Sequence, residues 1–194
     1  MALPELTIRL PGWVGGFLGD GAWLFSTPED RMRLVVELAR QNIERHTGGP
    51  FAAGVFDERG VLVAPGVNLV VWSGCSVLHA EVVALALAQK QLGRYDIGDG
   101  GRSRYELVTS TEPCAMCLGA IPWSGVSRIV CGARDEDARR IGFDEGSKLP
   151  EWDRALEARG IEVVRDVLRG DAVSVLERYV QGGGPIYNAG MQRG

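Results

Sequence analysis

The chain has 194 residues, of which 45% are hydrophobic and 24% are charged, and its net charge is −4. This composition is typical of a globular protein of one domain, and it excludes a disordered chain and a collagen-like repeat. No apolar run approaches the roughly 18 residues of a membrane-spanning helix, so we expect no membrane partner. The acidic balance also argues against a nucleic-acid partner, since proteins that follow phosphate backbones are usually basic.

The cysteines and the first residues bear on the cellular compartment. The four cysteines are Cys75, Cys114, Cys117 and Cys131. The N-terminal segment lacks the basic start and the continuous apolar stretch of a secretory signal. We therefore expect a cytoplasmic protein, in which a close Cys-x-x-Cys pair is a metal or redox feature rather than a disulfide.

The chain is expected to form one domain with an extension at each end. Residues 1–26 are rich in Gly and Trp and lack periodicity, so we expect an extension packed on a domain that spans 27–182. Thr27 is followed by Pro28 and two acids, which is a helix-start signal. Residues 183–194 are predicted to form an irregular tail.

Helical and strand patterns alternate along this domain, and a turn signal at 57–60 indicates a hairpin. The predicted elements after the first helix are strands at 51–56 and 61–71, a helix at 79–92, a strand at 105–110, a short helix at 114–123, a strand at 127–131, helices near 150–159 and 171–181, and a strand at 161–165. Residues 135–140 are interpreted only as a charged stretch. The alternation predicts an α/β sandwich around one central sheet.

Two short motifs bring metal-binding residue types together, His79-Ala80-Glu81 and Pro113-Cys114-Ala115-Met116-Cys117. Cys114 and Cys117 are three residues apart, so they share one face of a predicted helix, where the first-turn N–H groups favour thiolates. His79 begins the preceding predicted helix and supplies a nitrogen ligand. One nitrogen and two sulfurs leave the fourth position of a tetrahedral zinc open, as in a catalytic site.

Glu81 lies two residues after His79, where it is poorly placed as a further ligand but can act as the general base for a water molecule. The pattern H-x-E…P-C-x-x-C is the signature of zinc-dependent deaminases, in which the glutamate is not a ligand. Each half of the pattern is weak alone, and the two together are strong. We therefore predict one zinc ion per subunit, held by His79, Cys114 and Cys117, with Glu81 as a catalytic residue.

Two other interpretations of the cysteines stay open. A redox pair of Cys114 and Cys117 leaves His79 and Glu81 without a role. A purely structural zinc needs a fourth ligand, for which Cys75 and Cys131 are candidates. The second histidine, His46, is interpreted as a cation at the end of the first helix rather than as a ligand.

The segment from about Arg33 to Val180 resembles the cytidine-deaminase-like superfamily, in its branch of nucleobase and tRNA-adenosine deaminases. Within that branch it is most similar to the small bacterial guanine deaminases. The residues that carry the resemblance are Gly48-Gly49-Pro50-Phe51, Asn68, His79-Ala80-Glu81, the run from Glu112 to Ile121, Trp123, and Gly142-Phe143-Asp144-Glu145. The sequence departs from the family at residues 74–78, which are often polar there, and in its long N-terminal lead-in.

The resemblance implies a three-layer α-β-α sandwich around one mixed central sheet and the hydrolytic deamination of guanine to xanthine and ammonia in purine metabolism. It implies that Glu145 reaches the N1/N2 edge of the purine and passes a proton to the leaving amine. In tRNA adenosine deaminases this position is a glycine-rich turn, and those proteins are basic. Glu145 and the acidic balance therefore favour guanine as the substrate.

The resemblance also implies which residues contact the purine and how the protein assembles. Asn68 and the Ala80 N–H would bind the polar edges of the base, and Phe51 and Trp123 would pack on its faces. Tyr187 in the tail would close over the pocket. The resemblance further implies a homodimer, in which the tail covers its own active site or is swapped to that of the partner.

Simpler roles and other activities stay open at this point. Glu145 can be a solvated acid at a helix start, Asn68 a turn residue at a strand end, Phe51 and Trp123 core residues, and the tail a frayed terminus. The alternative activities are deamination of a related aminated ring (an aminopurine, guanosine or an aminotriazine), of a tRNA wobble adenosine, or of cytosine or cytidine. A non-catalytic zinc-binding module is the alternative that is not an enzyme.

Overall fold

The computed structural model describes residues 3, 5–19, 21 and 23–188, and within this part of the chain five strands form one mixed sheet. The strands are β1 (Ala52–Asp57), β2 (Leu62–Val67), β3 (Tyr105–Thr111), β4 (Arg128–Ala133) and β5 (Glu162–Val164), in the sheet order β2-β1-β3-β4-β5. β1 is antiparallel to both β2 and β3, whereas β3, β4 and β5 are parallel to one another.

Helices cover both faces of this sheet. They are α1 (Gly12–Leu18), α2 (Pro28–Glu44), α3 (Val70–Ser73), α4 (Ala80–Leu92), α5 (Ala115–Ser124), α6 (Asp135–Arg140), α7 (Trp152–Glu157) and α8 (Arg169–Gln181). α2 packs on β1 and β3, α8 packs on β4, and α4 packs on β2 and β1. Neighbouring residues of β3 point to opposite faces, since Val108 belongs to the apolar cluster of α2 and Leu107 to that of α4. The predicted α-β-α sandwich around one mixed sheet is therefore confirmed.

Most predicted elements occur within a few residues of their expected bounds. Thr27 caps α2 as expected, because its hydroxyl accepts a hydrogen bond from the Asp30 N–H at 3.1 Å. The strand expected at 61–71 is wrong beyond Val67, where the chain turns into the short helix α3. The charged stretch at 135–140 is the helix α6, whose first turn is acidic and whose last turn is basic.

The N-terminal lead-in contains the helix α1, which the sequence pattern did not predict. Val14 is buried in the same apolar cluster as the residues of α2, and the Trp13 indole N–H donates to the Thr47 hydroxyl at 3.0 Å. These contacts agree with an extension packed on the domain, although the boundaries at 26 and 182 stay predictions. Residues 189–194 of the predicted tail lie outside the described residues.

The topology brings several strand ends to one edge of the sheet. β2 is antiparallel to β1, and β1 to β3, so the carboxyl ends of β2, β3 and β4 lie together with the amino end of β1. Gly66 in β2 allows close packing at this edge, because a Cβ there would lie 2.2 Å from the Ala80 carbonyl oxygen at the start of α4. Ligands of α/β proteins bind where the carboxyl ends of strands open a crevice, so this edge is the expected place of a site.

None of the helices among the described residues is both long and apolar enough to cross a membrane.

Candidate active site

Three predicted metal ligands come together at this edge, each at the start of a helix. His79 is the N-terminal cap of α4, Cys114 is the cap of α5, and Cys117 lies in the first turn of α5. The His79 Nδ1 atom is 3.4 Å from the Cys114 sulfur and 3.7 Å from the Cys117 sulfur. Adjacent nitrogen and sulfur ligands of a tetrahedral zinc ion are about 3.6 Å apart. The donor set and its spacing therefore fit zinc.

The two sulfurs have opposite protonation tendencies because they interact with each other. A hydrogen bond from Cys117 lowers the pKa of Cys114 to about 4, against the opposing effect of burial. The same hydrogen bond, together with burial, raises the pKa of Cys117 above its ordinary range. One sulfur thus carries a negative charge at neutral pH while the other holds a proton. Zinc binds thiolates, so loading this site releases that proton.

Glu81 lies in the first turn of α4 and is 6% exposed. Burial raises the pKa of its carboxyl to about 7, and the negative charge of Cys114 adds to this effect. A bound divalent cation would lower this pKa, because positive charge stabilises the carboxylate. A buried carboxyl beside a metal site can both accept and return a proton near neutral pH.

Glu145 is also 6% exposed, and it lies in an irregular segment after α6 rather than at a helix start. Burial raises the pKa of its carboxyl to about 8, with further contributions from the negative charges of Cys114 and Glu81. Its backbone carbonyl accepts a hydrogen bond from the Ala115 N–H at 2.9 Å, which joins this segment to the start of α5. The interpretation of Glu145 as a solvated acid is therefore wrong.

A cavity of about 380 Å³ connects these groups, and its volume suits a small ring system. Its lining includes His79, Cys114, Glu81 and Glu145, together with three predicted substrate contacts, Phe51, Asn68 and Tyr187. Aromatic rings form one wall, because the Phe143 centroid lies 4.9 Å from that of Phe51 and 5.0 Å from that of Tyr187.

Asn68 is buried at the end of β2, where its side-chain oxygen accepts a hydrogen bond from the Val70 N–H at 3.2 Å. It therefore forms the strand-end turn and lines the cavity at the same time. Ala80 is the first residue of α4 and fully buried, and its N–H belongs to the helix end that has no partner within the helix.

The tail reaches this cavity. The Tyr187 ring lines it, and the Tyr187 hydroxyl lies so close to the backbone that a Cβ at Gly49 would be 2.0 Å from it. The Asn188 side chain accepts from the Asp144 N–H at 2.9 Å and donates to the Gly142 carbonyl at 2.8 Å. The tail is thus bonded to the segment that carries Glu145.

The structure corrects one expected contact, because Trp123 does not line this cavity. Its side chain is 81% exposed and lies beside a separate groove between α5 and α7, so it is not a core residue either. Six residues, or about 1.7 helical turns, separate Trp123 from Cys117, which directs the two side chains to different faces of α5.

The interpretation as a purely structural zinc site with a fourth cysteine ligand finds no support among the described residues. The metal-compatible cluster there consists of His79, Cys114 and Cys117, and neither Cys75 nor Cys131 belongs to it. Sequence reasoning gave no role to Thr109, Thr111, Glu112, Asp144 and Asn188, which all line the cavity. Glu112 precedes the Pro-Cys motif and could have been found from it, whereas Asn188 has no local signal.

Comparisons with known proteins agree with this site. Residues 26–133 match the model of the cytidine and deoxycytidylate deaminase zinc-binding region, a range that includes all three ligands. The chain is 38% identical to the guanine deaminase of Bacillus subtilis over 133 residues, which cover 69% of this chain and 81% of that protein.

Two solved structures cover nearly the whole chain. A guanine deaminase from Nitrosomonas europaea is 46% identical with a TM-score of 0.85, covering 90% of this chain and 96% of that one. A structure in complex with 2,6-diaminopurine is 47% identical with a TM-score of 0.88, covering 95% and 97%. Together with the ligand geometry, these matches show that the chain belongs to the zinc-dependent cytidine and deoxycytidylate deaminase family of hydrolytic enzymes.

Proposed function

We propose that this enzyme deaminates guanine to xanthine, releasing ammonia. The observation behind the proposal is a cavity of about 380 Å³ lined by two of the three clustered metal ligands, His79 and Cys114, together with the buried carboxyls of Glu81 and Glu145 and the Asn68 amide. Relatives named as guanine deaminases, at 38% and 46% identity, support guanine over other bases. In the reaction water adds to C2 of guanine, a C–O bond forms, and the bond from C2 to the exocyclic nitrogen breaks.

His79, Cys114 and Cys117 would hold the zinc ion, which when bound makes water a nucleophile at neutral pH by lowering its pKa from about 16 to about 7. Glu81 accepts the proton of the attacking water and delivers it to N3 of the ring. Glu145 lines the same cavity and moves the proton of the new C2 hydroxyl to the exocyclic amine, which leaves as ammonia while the C2–O bond becomes a carbonyl. The two carboxyls therefore divide the two proton transfers between them.

The remaining lining residues fix the base. Asn68 and the Ala80 N–H hydrogen-bond its polar edges, while the ring of Phe51 packs on its face. Tyr187 covers the opening, either in its own chain or after exchange of the tail with a partner. A site that pairs a polar edge rejects a base without that edge, because its own buried groups would be left unpaired.

We also propose a cytoplasmic homodimer. The groove between α5 and α7 is apolar and open, with Trp123 81% and Leu149 66% exposed. A large exposed apolar surface of this kind usually marks a protein interface, and a second copy would bury it. The four free cysteines suit a reducing compartment. Sedimentation of Trp123→Glu beside the wild type tests the dimer, since a charge in the interface would favour monomers.

The test of the activity is ammonia release from guanine by the zinc-loaded enzyme, with Glu81→Ala and the exposed-site control Glu58→Ala. We expect guanine turnover in the wild type and the control, and none above background in Glu81→Ala. Guanosine, adenine, 2,6-diaminopurine, cytidine and a tRNA anticodon stem-loop are assayed in parallel. Turnover of one of these with inert guanine would keep the deaminase chemistry and overturn the substrate. A zinc-loaded protein that turns over none of them would be a binding module.

A further inference from the structure

A buried lysine lies behind the segment that carries Glu145. The Lys148 side chain is 7% exposed, although an ammonium group is seldom removed from water without a strong reason. Its Nζ atom is 3.0 Å from Asp135 Oδ1 and 3.8 Å from Glu112 Oε2, and it lies 5.0 Å from the ring centre of Trp152. The proposed reaction gives this group no role.

Lys148 does not touch the reaction space. It lines the groove between α5 and α7, whereas Glu145, three residues earlier, lines the cavity with the metal ligands. Any effect of Lys148 on catalysis must therefore pass through another residue. Two residues of the cavity are within reach of Lys148, Glu112 through the 3.8 Å contact and Glu145 through three residues of chain. Of the two, Glu145 is the one that moves a proton in the proposed reaction.

Asp135 connects both sides of the Glu145 segment. One of its oxygens pairs with Lys148, and the other accepts from the Arg139 Nε atom at 2.5 Å. Arg139 in turn donates to the Gly146 carbonyl at 2.7 Å, directly after Glu145. A single carboxylate therefore binds both Arg139, which holds the segment at Gly146, and Lys148, which lies two residues further along it.

Asp135 is itself fixed to the sheet. Its backbone N–H donates to Glu112 Oε2 at 3.1 Å, and the other oxygen of Glu112 accepts from Arg165 Nε at 2.7 Å. Glu112 follows β3 and Arg165 follows β5, so this chain of contacts ends on two strands. The Lys148–Asp135 contact is an ion pair that is not aligned as a hydrogen bond, so its strength depends on charge and burial.

We infer that the ion pair between the buried Lys148 and the partly buried Asp135 is a positioning device that holds Glu145 against the substrate in the proposed reaction. The inference rests on the proposed role of Glu145. Removing the Lys148 ammonium from water costs free energy that an apolar pair of similar volume would not. The ion pair therefore serves here as a fixed anchor for an otherwise irregular segment rather than as a source of stability. A displacement of a catalytic group by about 1 Å can lower a rate about 100-fold.

The first test compares Lys148→Met, which keeps the length and removes the charge, with Lys148→Arg and with Lys90→Met. Lys90 is the other lysine of the chain and is exposed at the end of α4. For Lys148→Met we expect a kcat for guanine about 100-fold lower, with little change in KM and unchanged zinc content. Lys148→Arg retains most of the activity, and Lys90→Met behaves as the wild type. An equal loss in Lys148→Arg would overturn the inference.

Two double variants separate positioning from stability. In a Glu145→Gln background, adding Lys148→Met causes no further loss of kcat if Lys148 acts through Glu145, whereas multiplied losses would overturn the inference. Lys148→Met leaves the Asp135 carboxylate without this partner and should lower the melting temperature. Adding Asp135→Asn removes the unpaired charge and restores the melting temperature, but kcat stays low. Recovery of kcat together with stability would mean that the pair only stabilises the fold.

A measurement without turnover makes the inference independent of the substrate. Amide hydrogen exchange of a peptide covering 143–148 rises in Lys148→Met and stays at the wild-type level in Lys148→Arg and Lys90→Met. Unchanged exchange in Lys148→Met would overturn the anchor even if guanine were the substrate. Raised exchange in an enzyme that does not use guanine would keep the anchor and overturn only the proposed function.

Discussion

The two halves of the candidate site are built in different ways. The metal-ligand half uses short motifs at helix starts, with His79 capping α4 and Cys114 capping α5 on a shared sheet edge. The Glu145 half is an irregular segment held by hydrogen bonds and ion pairs from α5, α6 and the tail. The first half lies within the range matched by the family model, and the second lies beyond it. A common zinc chemistry is thus combined with a separately anchored wall that can determine the substrate.

The largest effect is expected from a substitution in the metal-ligand half of the site. Cys117→Ala removes one of three protein ligands, so we expect loss of bound zinc and activity at background. Cys75→Ala is the matched control, because Cys75 is half-buried outside the metal cluster. Zinc content by atomic absorption and ammonia release are measured together. Full zinc occupancy in Cys117→Ala would remove this sulfur from the ligand set.

The next largest effect is expected from a substitution in the Glu145 half that leaves the metal in place. Glu145→Gln keeps the shape of the side chain but cannot accept and return a proton, so kcat for guanine should fall about 100-fold or more. Zinc content should equal that of the wild type, since Glu145 is not a ligand. A wild-type rate for this variant would exclude Glu145 from the mechanism.

A smaller effect is expected where the tail meets the cavity. In Gly49→Ala the new Cβ would lie 2.0 Å from the Tyr187 hydroxyl, so the ring must move away from the opening. We expect KM for guanine to rise about tenfold, equivalent to about 1.4 kcal/mol of binding, with little change in melting temperature. Gly170→Ala is the control, because a Cβ there meets no atom within 4 Å.

Removal of the tail tests the same contact more directly. A chain ending at Gly182 lacks Tyr187 and Asn188 and should show a KM that rises at least as much as in Gly49→Ala. Wild-type kinetics for the shortened chain would mean that the tail is a frayed terminus without a role at the cavity.

The smallest effect on activity is expected away from the site, at a residue that concerns stability alone. Asp137 accepts hydrogen bonds from Arg169, from Arg140 and from the Arg134 N–H. The hydrogen bond from Arg169 is the main reason that its pKa falls from 3.8 to about 2. The contribution of the Asp137 carboxylate to the free energy of unfolding is therefore complete above about pH 4 and is lost as the pH falls towards 2.

Asp137→Asn should lower the free energy of unfolding by about 1–3 kcal/mol at pH 7. This difference should shrink between pH 4 and pH 2, while kcat at neutral pH stays unchanged. Urea unfolding at several pH values, with the exposed-site control Glu58→Gln, measures it. A difference independent of pH would mean that charge is not the cause.

Local patterns predicted most of the fold because each signal lies within one element. The Thr27-Pro28 start of α2 and the alternation of β3 need no distant partner to be recognised. The pattern failed for α1 and α3, because helices of seven and four residues are too short to show a helical periodicity, and α1 depends on packing. Val14 in α1, for example, is buried against residues far along the chain.

The candidate site divides in the same way. Motif spacing alone identified His79, Glu81, Cys114 and Cys117, because helix geometry converts a spacing of three residues into a shared face. Glu145, Asn68 and Tyr187 came from the resemblance to a family. Neither the motif spacing nor the resemblance predicted a role for Lys148 and Asn188, since their partners lie up to 46 residues away in the sequence. Trp123 is the opposite case. The resemblance predicted that its ring would contact the base, but in this chain the side chain lies outside the cavity.

The sequence by itself determined the deaminase chemistry, since ligand types and their spacing within single helices fix which ion can bind and where a general base can stand. Only the tertiary structure decided how the second carboxyl is held and how the tail meets it. Asp135, Lys148 and Asn188 act across the chain, and their contacts exist only when the strand ends meet at one edge of the sheet. Short-range geometry can be read from spacing, whereas burial and ion pairing depend on the whole fold.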